Sequence, residues 1–221
     1  IATEAAIKYF VLGALASGFL LYGISMLYGA TGTLDIVEVF KALAQNEYQK
    51  TVLIFALVFV VAGLAFKLGV VPFHMWVPDV YQGAPTSITL LIGGAPKIAA
   101  FAIMIRLLVQ GLLPLAFDWQ LMLMVLAVMS LIVGNLAAIA QTNIKRMLAF
   151  SGISHAGFML MTLLSLSTSA NTLLYYTVAY ALAGIASFAV IILVTKDKED
   201  QDISRFNGLG KTNPLMAGIL S

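Results

Sequence analysis

The segment Gly63-Leu-Ala-Phe-Lys-Leu-Gly-Val-Val-Pro-Phe-His-Met-Trp-Val-Pro-Asp79 decides the fold, because it interrupts a helix inside an apolar stretch. Pro72 lacks an N–H group and collides with the carbonyl four residues earlier, while Gly69 frees the backbone. A second proline, Pro78, follows closely. These residues predict two half-helices that join near Gly69–Pro72. In lipid, an irregular backbone is tolerated only where protein buries it or where it lines a wet cavity.

The composition is that of a membrane protein. Hydrophobic residues make up 61% of the chain and charged residues 10%, whereas soluble domains average about 25% charged residues. The expected surroundings are therefore a lipid bilayer, and a net charge of +2 gives no indication of nucleic-acid binding. The chain has no cysteine, which excludes disulfides and thiolate metal sites. The two histidines, His74 and His155, are too far apart to suggest a metal site, so we expect none.

Six apolar stretches approach the length of about 20 residues that a spanning helix needs. They lie at about 4–28, 51–67 (continuing after the break), 86–112, 119–140, 144–164 and 172–195. The sequence thus predicts an all-α, polytopic helix bundle that forms a single transmembrane domain over residues 1–221. The small residues of Ala14-x-x-x-Gly18 and Gly93–Ala95 predict close helix approach.

The segments between the spans are more polar. A short amphipathic helix is predicted at Ile36–Ala44, and the charge-dense Lys196–Asp202 is predicted to be a solvated loop. The first apolar stretch begins at about residue 4, and Pro214–Ser221 is expected to be the first turns of another helix. We therefore expect an internal piece of a longer chain.

Basic residues predict the orientation. Lys145 and Arg146 lie between the fourth and fifth stretches, and four more basic residues follow the sixth: Lys196, Lys198, Arg205 and Lys211. The positive-inside rule places both connections in the cytoplasm. The connection Pro78–Pro85 is expected on the same side.

Two lysines inside apolar stretches predict an ion pathway. A lysine at mid-membrane costs about 2.5–3.5 kcal/mol on insertion scales, so it usually faces a partner or a path. Lys67 falls in the last turn of the first half-helix, where the partial negative charge favours a cation. His74, just past the break, titrates near neutral pH. Together with Lys97 these residues predict a proton relay. The alternatives are that Lys67 snorkels to the membrane surface and that Lys97 forms a static pair with a carboxylate elsewhere.

Other polar residues extend the hypothesis. Lys8 lies deep enough in the first stretch to join a charge chain, whereas Glu4, four residues earlier, reads as a surface partner. Ser151 and His155 share one helix face and predict a hydrated file, although ordinary interhelical hydrogen bonds explain them equally well.

Three motifs carry a family resemblance. Phe66–Thr86, Gln141–Gly157 and, more weakly, Phe206–Gly210 resemble the antiporter-like membrane subunits of respiratory complex I. The resemblance covers essentially the whole chain and implies an inverted-repeat fold with broken helices.

The resemblance also implies a function, namely proton translocation driven at a distance by quinone reduction. Lys67 matches the family's lysine on the broken helix, Lys97 the next relay residue and Lys8 a lysine on an earlier helix. The glutamate that pairs with the broken-helix lysine lies outside this chain, and Glu4 does not match it.

The resemblance further implies partners and a location. Neighbouring antiporter-like and other membrane-arm subunits of complex I are the expected partners, in a bacterial inner membrane. NAD, FMN, iron–sulfur clusters and quinone would belong to partner subunits, so no cofactor or redox site is expected here. The alternatives are a separate multi-subunit cation/proton antiporter, a subunit of a membrane-bound hydrogenase or of the photosynthetic relative of complex I, and a structural spacer.

Overall fold

The computed structural model describes residues 2–45, 50–165, 169–195 and 201–220. In these ranges the chain forms ten α-helices, joined by short connections. They are α1 (Ala2–Thr31), α2 (Ile36–Ala44), α3 (Lys50–Leu68), α4 (Trp76–Gly83), α5 (Thr86–Met104), α6 (Ala116–Ile139), α7 (Ile144–Leu163), α8 (Ser169–Thr195), α9 (Leu209–Thr212) and α10 (Pro214–Leu220). The predicted all-α class is confirmed, and α2 occupies the predicted amphipathic segment.

Five helices of the described chain are long and apolar enough to cross a membrane, not six. They are Ala2–Thr31, Lys50–Leu68, Thr86–Gly111, Leu113–Ile139 and Asn171–Thr195. A helix, α7, does form where the fifth span was predicted, but its polar residues make it less apolar than the others. Twelve of its twenty residues are buried, so neighbouring helices rather than lipid surround much of it, and protein surroundings tolerate polar groups better.

Glycines set the closest helix contacts, and the predicted Gly93 is among them, since its Cβ would lie 3.0 Å from the Tyr81 hydroxyl of α4. A Cβ on Gly63 of α3 would lie 2.7 Å from Leu20 Cβ, and one on Gly23 of α1 would lie 2.8 Å from the Ala56 carbonyl oxygen. At Gly18 no described residue lies within 4 Å of the Cβ position, so the predicted close approach is not made there within this part of the chain. Helices α6 and α7 approach in the same way at Gly134, whose Cβ would lie 2.7 Å from a backbone nitrogen of α7.

The third apolar stretch is a helix throughout but changes type. α5 continues through Pro96, which is exposed, and then widens into a π-helix at Ile105–Gly111. A Cβ on Gly111 would lie 3.1 Å from Ile36 Cγ2. The π-helical turn therefore packs against the start of α2.

The connection between α6 and α7 pairs with the segment after α8. Asn143 and Asp202 form an isolated antiparallel bridge, in which the Ile144 N–H donates to the Gln201 carbonyl and the Ile203 N–H to the Thr142 carbonyl, both at 2.9 Å. These two basic connections therefore lie together, as their charges predicted. Most of the predicted charged loop, residues 196–200, lies outside the described residues.

Candidate functional site

The broken helix is the frame of the site. α3 ends at Leu68, Gly69 adopts a left-handed φ of 71°, and α4 begins at Trp76. A Cβ on Gly69 would lie 2.5 Å from Val77 Cγ2, so only glycine fits this turn. Pro78 occupies the first turn of α4, where a missing N–H costs no helical hydrogen bond.

Polar partners stabilise the irregular backbone of the break. The Val71 N–H donates to Ser130 Oγ of α6 at 2.9 Å, and that hydroxyl donates onward to the Leu126 carbonyl at 2.6 Å. Trp76 Nε1 donates to the Phe66 carbonyl at 3.1 Å, across the gap between the half-helices. These bonds satisfy groups that would otherwise be orphaned in an apolar interior.

Lys67 lies in the last turn of α3, as predicted, but its side chain is exposed in this chain rather than buried. Its two neighbours, Phe66 and Leu68, are buried. The described helices do not cover the face of α3 that carries Lys67, so its burial stays a prediction.

His74 lies between the two half-helices and is half-buried. Its Nδ1 is buried and has no hydrogen-bond partner within the described ranges.

Lys97 is the buried lysine of the site, with 3% of its surface exposed. Its Nζ donates to the Gly152 carbonyl of α7 at 3.3 Å and to the Tyr180 hydroxyl of α8 at 3.5 Å. Nζ also lies 5.1 Å from the centre of the Tyr180 ring. Its contacts in the described chain are with neutral oxygen atoms and a π-face, and no carboxylate there forms an ion pair with it.

Lys8 takes part in a charged cluster that joins three helices. Its Nζ lies 2.7 Å from Glu4 and 2.6 Å from Asp79 of α4, and Arg146 of α7 lies 2.6 Å from the other oxygen of Asp79. Sequence reasoning assigned no role to Asp79. Its place inside the most specific motif was the only available signal.

Lys145 is a second buried cation that the sequence used only for orientation. With 1% of its surface exposed, it donates to the Ala84 carbonyl at 2.6 Å. The bond fixes the start of α7 against the end of α4. The segment Pro78–Pro85 was predicted as a connection but is helical as far as Gly83; it lies beside the basic segment, as expected.

The structure places His155 with tyrosines rather than with Ser151. His155 Nδ1 lies 2.8 Å from the Tyr176 hydroxyl, and its ring centre lies 5.1 Å from that of Tyr180. Ser151 is half-buried on the same helix. The hydrated file through Ser151 and His155 stays a prediction.

No group of three or more histidine, aspartate and glutamate side chains is positioned to hold a metal ion within the described part of the chain.

An apolar bundle with a broken helix, and with a lysine at the break and another buried on the next helix, defines a membrane protein of the antiporter-like class. The chain belongs to the NADH:quinone oxidoreductase/Mrp antiporter membrane family, whose model matches residues 1–221. Subunit N of the NADH-quinone oxidoreductase of Polaromonas naphthalenivorans is 59% identical to it, over 100% of this chain and 46% of that protein. The motif Phe66–Thr86 lies within this match.

Solved structures agree with the family assignment. A chain of respiratory complex I from Thermus thermophilus, solved with bound aureothin, has a TM-score of 0.80 and 38% identity, over 96% of this chain and 45% of that one. A chain of the Mrp complex from Dietzia sp. DQ12-45-1b has a TM-score of 0.84 and 25% identity, over 97% and 40%. The chain spans about half the length of the curated relatives it matches. It is an integral protein of the bacterial inner membrane.

Proposed function

We propose that this chain forms the proton-relaying part of a subunit N-like membrane subunit of NADH:quinone oxidoreductase. In this proposal NADH oxidation and quinone reduction take place in partner subunits, which hold the NAD, FMN, iron–sulfur and quinone sites. This chain moves protons through Lys67, His74 and Lys97. The observation that carries the proposal is the burial of Lys97 among neutral groups.

The surroundings of Lys97 support a relay better than a static ion pair. A lysine that serves only structure is expected beside a fixed carboxylate, which holds its charge permanently. The Gly152 carbonyl and the Tyr180 hydroxyl instead contact Lys97 at 3.3 and 3.5 Å. Neutral contacts of this length do not hold a charge in place permanently, as a fixed carboxylate would.

The exposure of Lys67 supports its role as the controlled end of the relay. Its open face allows a carboxylate from another part of the full subunit to pair with it, as the family resemblance implies. When that carboxylate moves away, Lys67 loses the partner that favours its charged form. It then passes a proton towards Lys97, with His74 and water between them.

Lys8 has a different place in the proposal, because Glu4 and Asp79 already pair with it. Its proposed role is at the cytoplasmic end, where this cluster faces the connection Pro78–Pro85. Two carboxylates at 2.6–2.7 Å suit a residue that positions charge better than one that releases it.

Substitution of the relay lysines in the full-length subunit, within the assembled complex, tests the proposal. Membrane vesicles carrying Lys67→Met or Lys97→Met are expected to lose NADH oxidation and uncoupler-sensitive acidification together, because proton transfer and electron transfer are coupled. Lys41→Met is the matched control, since Lys41 is an exposed lysine of α2 that pairs with Glu38. Native gels check that each variant assembles into the complex to the same extent as wild type.

Unchanged activity in both variants would contradict the proposal. If both activities of the assembled Lys67→Met and Lys97→Met complexes equalled those of the control, neither lysine would relay protons. A structural spacer would then be the better description.

A separate cation/proton antiporter is the second candidate, because the family model includes Mrp antiporters and the Mrp chain has the same fold. The 59% identity to a subunit N against 25% to the Mrp chain favours the complex I reading. Purification of the native assembly distinguishes the two by its flavin and iron–sulfur absorbance.

A further inference from the structure

The two longer sequence motifs meet where α4 lies on the start of α7. Arg146 donates to Asp79 in the first turn of α4 at 2.6 Å. Lys145, which is 1% exposed, donates at 2.6 Å to the carbonyl of Ala84, just after the last turn of α4. Both bonds are short and charge-assisted, which makes them stronger than neutral hydrogen bonds. The second half of the broken helix is therefore anchored to α7 at both of its ends.

Tyr81 lies between those two anchors on α4 and reaches α5. A Cβ on Gly93 would lie 3.0 Å from the Tyr81 hydroxyl oxygen, so the hydroxyl lies against α5 one turn before Lys97. The Tyr81 ring packs edge-on against Phe188 of α8, with ring centres 6.1 Å apart, and the Tyr81 carbonyl accepts from Thr89 Oγ1 at 3.2 Å. The side chain is 1% exposed, so its position follows that of α4.

The Tyr81 hydroxyl interacts with the ammonium group of Lys97. Within the described chain the contact is too long or too bent to be a full hydrogen bond, so its strength depends on small shifts of α4. The other polar contacts of Lys97 Nζ are with the Gly152 carbonyl of α7 and the Tyr180 hydroxyl of α8. Tyr81 is thus the residue through which the broken helix reaches the buried lysine.

We propose that Tyr81 is a positioning residue for Lys97 and that the anchoring of α4 by Lys145 and Arg146 sets its place. While α4 stays docked on α7, the hydroxyl lies beside the ammonium group and offers it a neutral acceptor. Loss of an anchor lets this short half-helix shift, and the hydroxyl withdraws. The two motifs together then link the cytoplasmic end of the bundle to the buried lysine. The effect on proton transfer rests on the proposed function, whereas the placement of Tyr81 does not.

Electron cryomicroscopy maps of the assembled complex test the placement. Lys145→Met and Arg146→Met are expected to lengthen the distance between the Tyr81 oxygen and Lys97 Nζ, and Arg146→Lys, which keeps a cation beside Asp79, is expected to restore it. Lys41→Met is the control and should leave the distance at its wild-type value. An unchanged distance in both methionine variants of α7 would overturn the anchoring.

The effect on Lys97 is measured with Tyr81→Phe, which keeps the ring and removes only the hydroxyl. In vesicles carrying the assembled complex, this variant is expected to lower NADH oxidation and uncoupler-sensitive acidification together by about three- to tenfold, because a charged group loses a polar contact. Tyr175→Phe is the matched control, since this tyrosine of α8 is 79% exposed. Rates equal to those of the control would overturn the positioning role.

A double substitution separates positioning from general stability. If Lys145 acts on the rates through Tyr81, Lys145→Met should lower them in the wild-type background and add little in the Tyr81→Phe background. Residues that act as a unit are non-additive in this way, whereas independent residues are additive in free energy. Losses that multiply in the double variant would show that Lys145 acts independently of Tyr81, and the link from α7 to Lys97 would fall.

The inference and the proposed function fail in different ways. If Lys97→Met left both activities at the wild-type level, the relay would fall, and the maps alone would decide the placement of Tyr81. If Lys97→Met abolished both activities while Tyr81→Phe matched Tyr175→Phe, only the positioning role would fall.

Discussion

At the scale of single residues, one carboxylate holds three helices together. Asp79 on α4 accepts from Lys8 of α1 and from Arg146 of α7, each at 2.6 Å. Arg146 also donates to Gln82 at 3.2 Å, which is a second contact between α7 and α4. Charge-assisted hydrogen bonds of this kind are stronger than neutral ones, and the Asp79 side chain is only 28% exposed. The second half of the broken helix is therefore held in place from both sides.

The substitution Asp79→Asn should weaken this arrangement. The amide keeps the shape but removes the charge that two cations share, so we expect a loss of stability on the order of 1 kcal/mol. Thermal unfolding of the full-length subunit in detergent measures the change. Glu38→Gln is the control, since Glu38 makes a single exposed pair within α2; an equal effect in both variants would show that Asp79 has no special role.

Some single residues of the site could be predicted from the sequence. Lys67, His74 and Lys97 stand out because titratable groups are conspicuous in apolar runs. The partners of Lys97 could not be predicted, because Tyr180 lies on a distant helix among other tyrosines and only packing selects it. The exposure of Lys67 likewise depends on which neighbouring surface covers it, and no local pattern encodes that.

At the scale of helices, the close contact between α1 and α3 depends on glycine at position 63. A Cβ on Gly63 would meet Leu20 Cβ at 2.7 Å and the Ala16 carbonyl oxygen at 3.0 Å. The Ala16 contact involves backbone, which cannot rotate away. The two helices can therefore stay this close only while position 63 lacks a side chain.

Gly63→Ala should separate α1 from α3 and destabilise the bundle by about 1–3 kcal/mol, the usual cost of overpacking. Gly18→Ala, on α1 with nothing within 4 Å of its Cβ position, should be neutral or slightly stabilising. The difference in unfolding temperature between the two variants is the measurement. A Gly63→Ala protein as stable as Gly18→Ala would contradict the close contact.

These glycines also show how far pattern reading extends for helices. Pro72 and Gly69 marked the break correctly, since a missing N–H and a free backbone act locally. The small-residue motif at Gly18 failed, because such a motif does not reveal which face a partner covers. The π-helix at Ile105–Gly111 was not predicted either, and its sequence, Ile-Arg-Leu-Leu-Val-Gln-Gly, contains no proline to announce it.

At the scale of the whole molecule, one end of the bundle gathers the basic connections. The bridge between Asn143 and Asp202 ties the start of α7 to the segment after α8, and hydrogen bonds from Ser204 lower the pKa of the Asp202 carboxyl. From the same place Lys145 reaches the Ala84 carbonyl at the end of α4, and Arg146 reaches Asp79 in the first turn of α4. The charge pattern predicted this common side because it depends only on the order of spans and basic loops.

A double-cysteine variant, Asn143→Cys with Asp202→Cys, should form a disulfide on mild oxidation. The hydrogen bonds that flank the pair make it a non-hydrogen-bonded antiparallel pair, whose Cα atoms lie about 4.5 Å apart, within disulfide range. The described chain has no native cysteine to compete.

The control for the cross-link pairs Asn143→Cys with Leu34→Cys, which lies in the connection between α1 and α2 at the far end of α1. Mobility on a non-reducing gel, after proteolytic cleavage between the two sites, measures the cross-link. Absence of the bond in the first pair, or its presence in the second, would contradict the arrangement of the bundle.

The left-handed turn at Gly69 has a consequence for the gene. Every missense codon that lies one base from a glycine codon encodes a residue with a Cβ. At position 69 that atom would meet both an unfavourable φ of 71° and the methyl group of Val77 at 2.5 Å. Single-base missense variation at this codon should therefore be removed by selection, whereas variation at the codon of Gly18, whose added Cβ would touch none of the described residues, should be tolerated better.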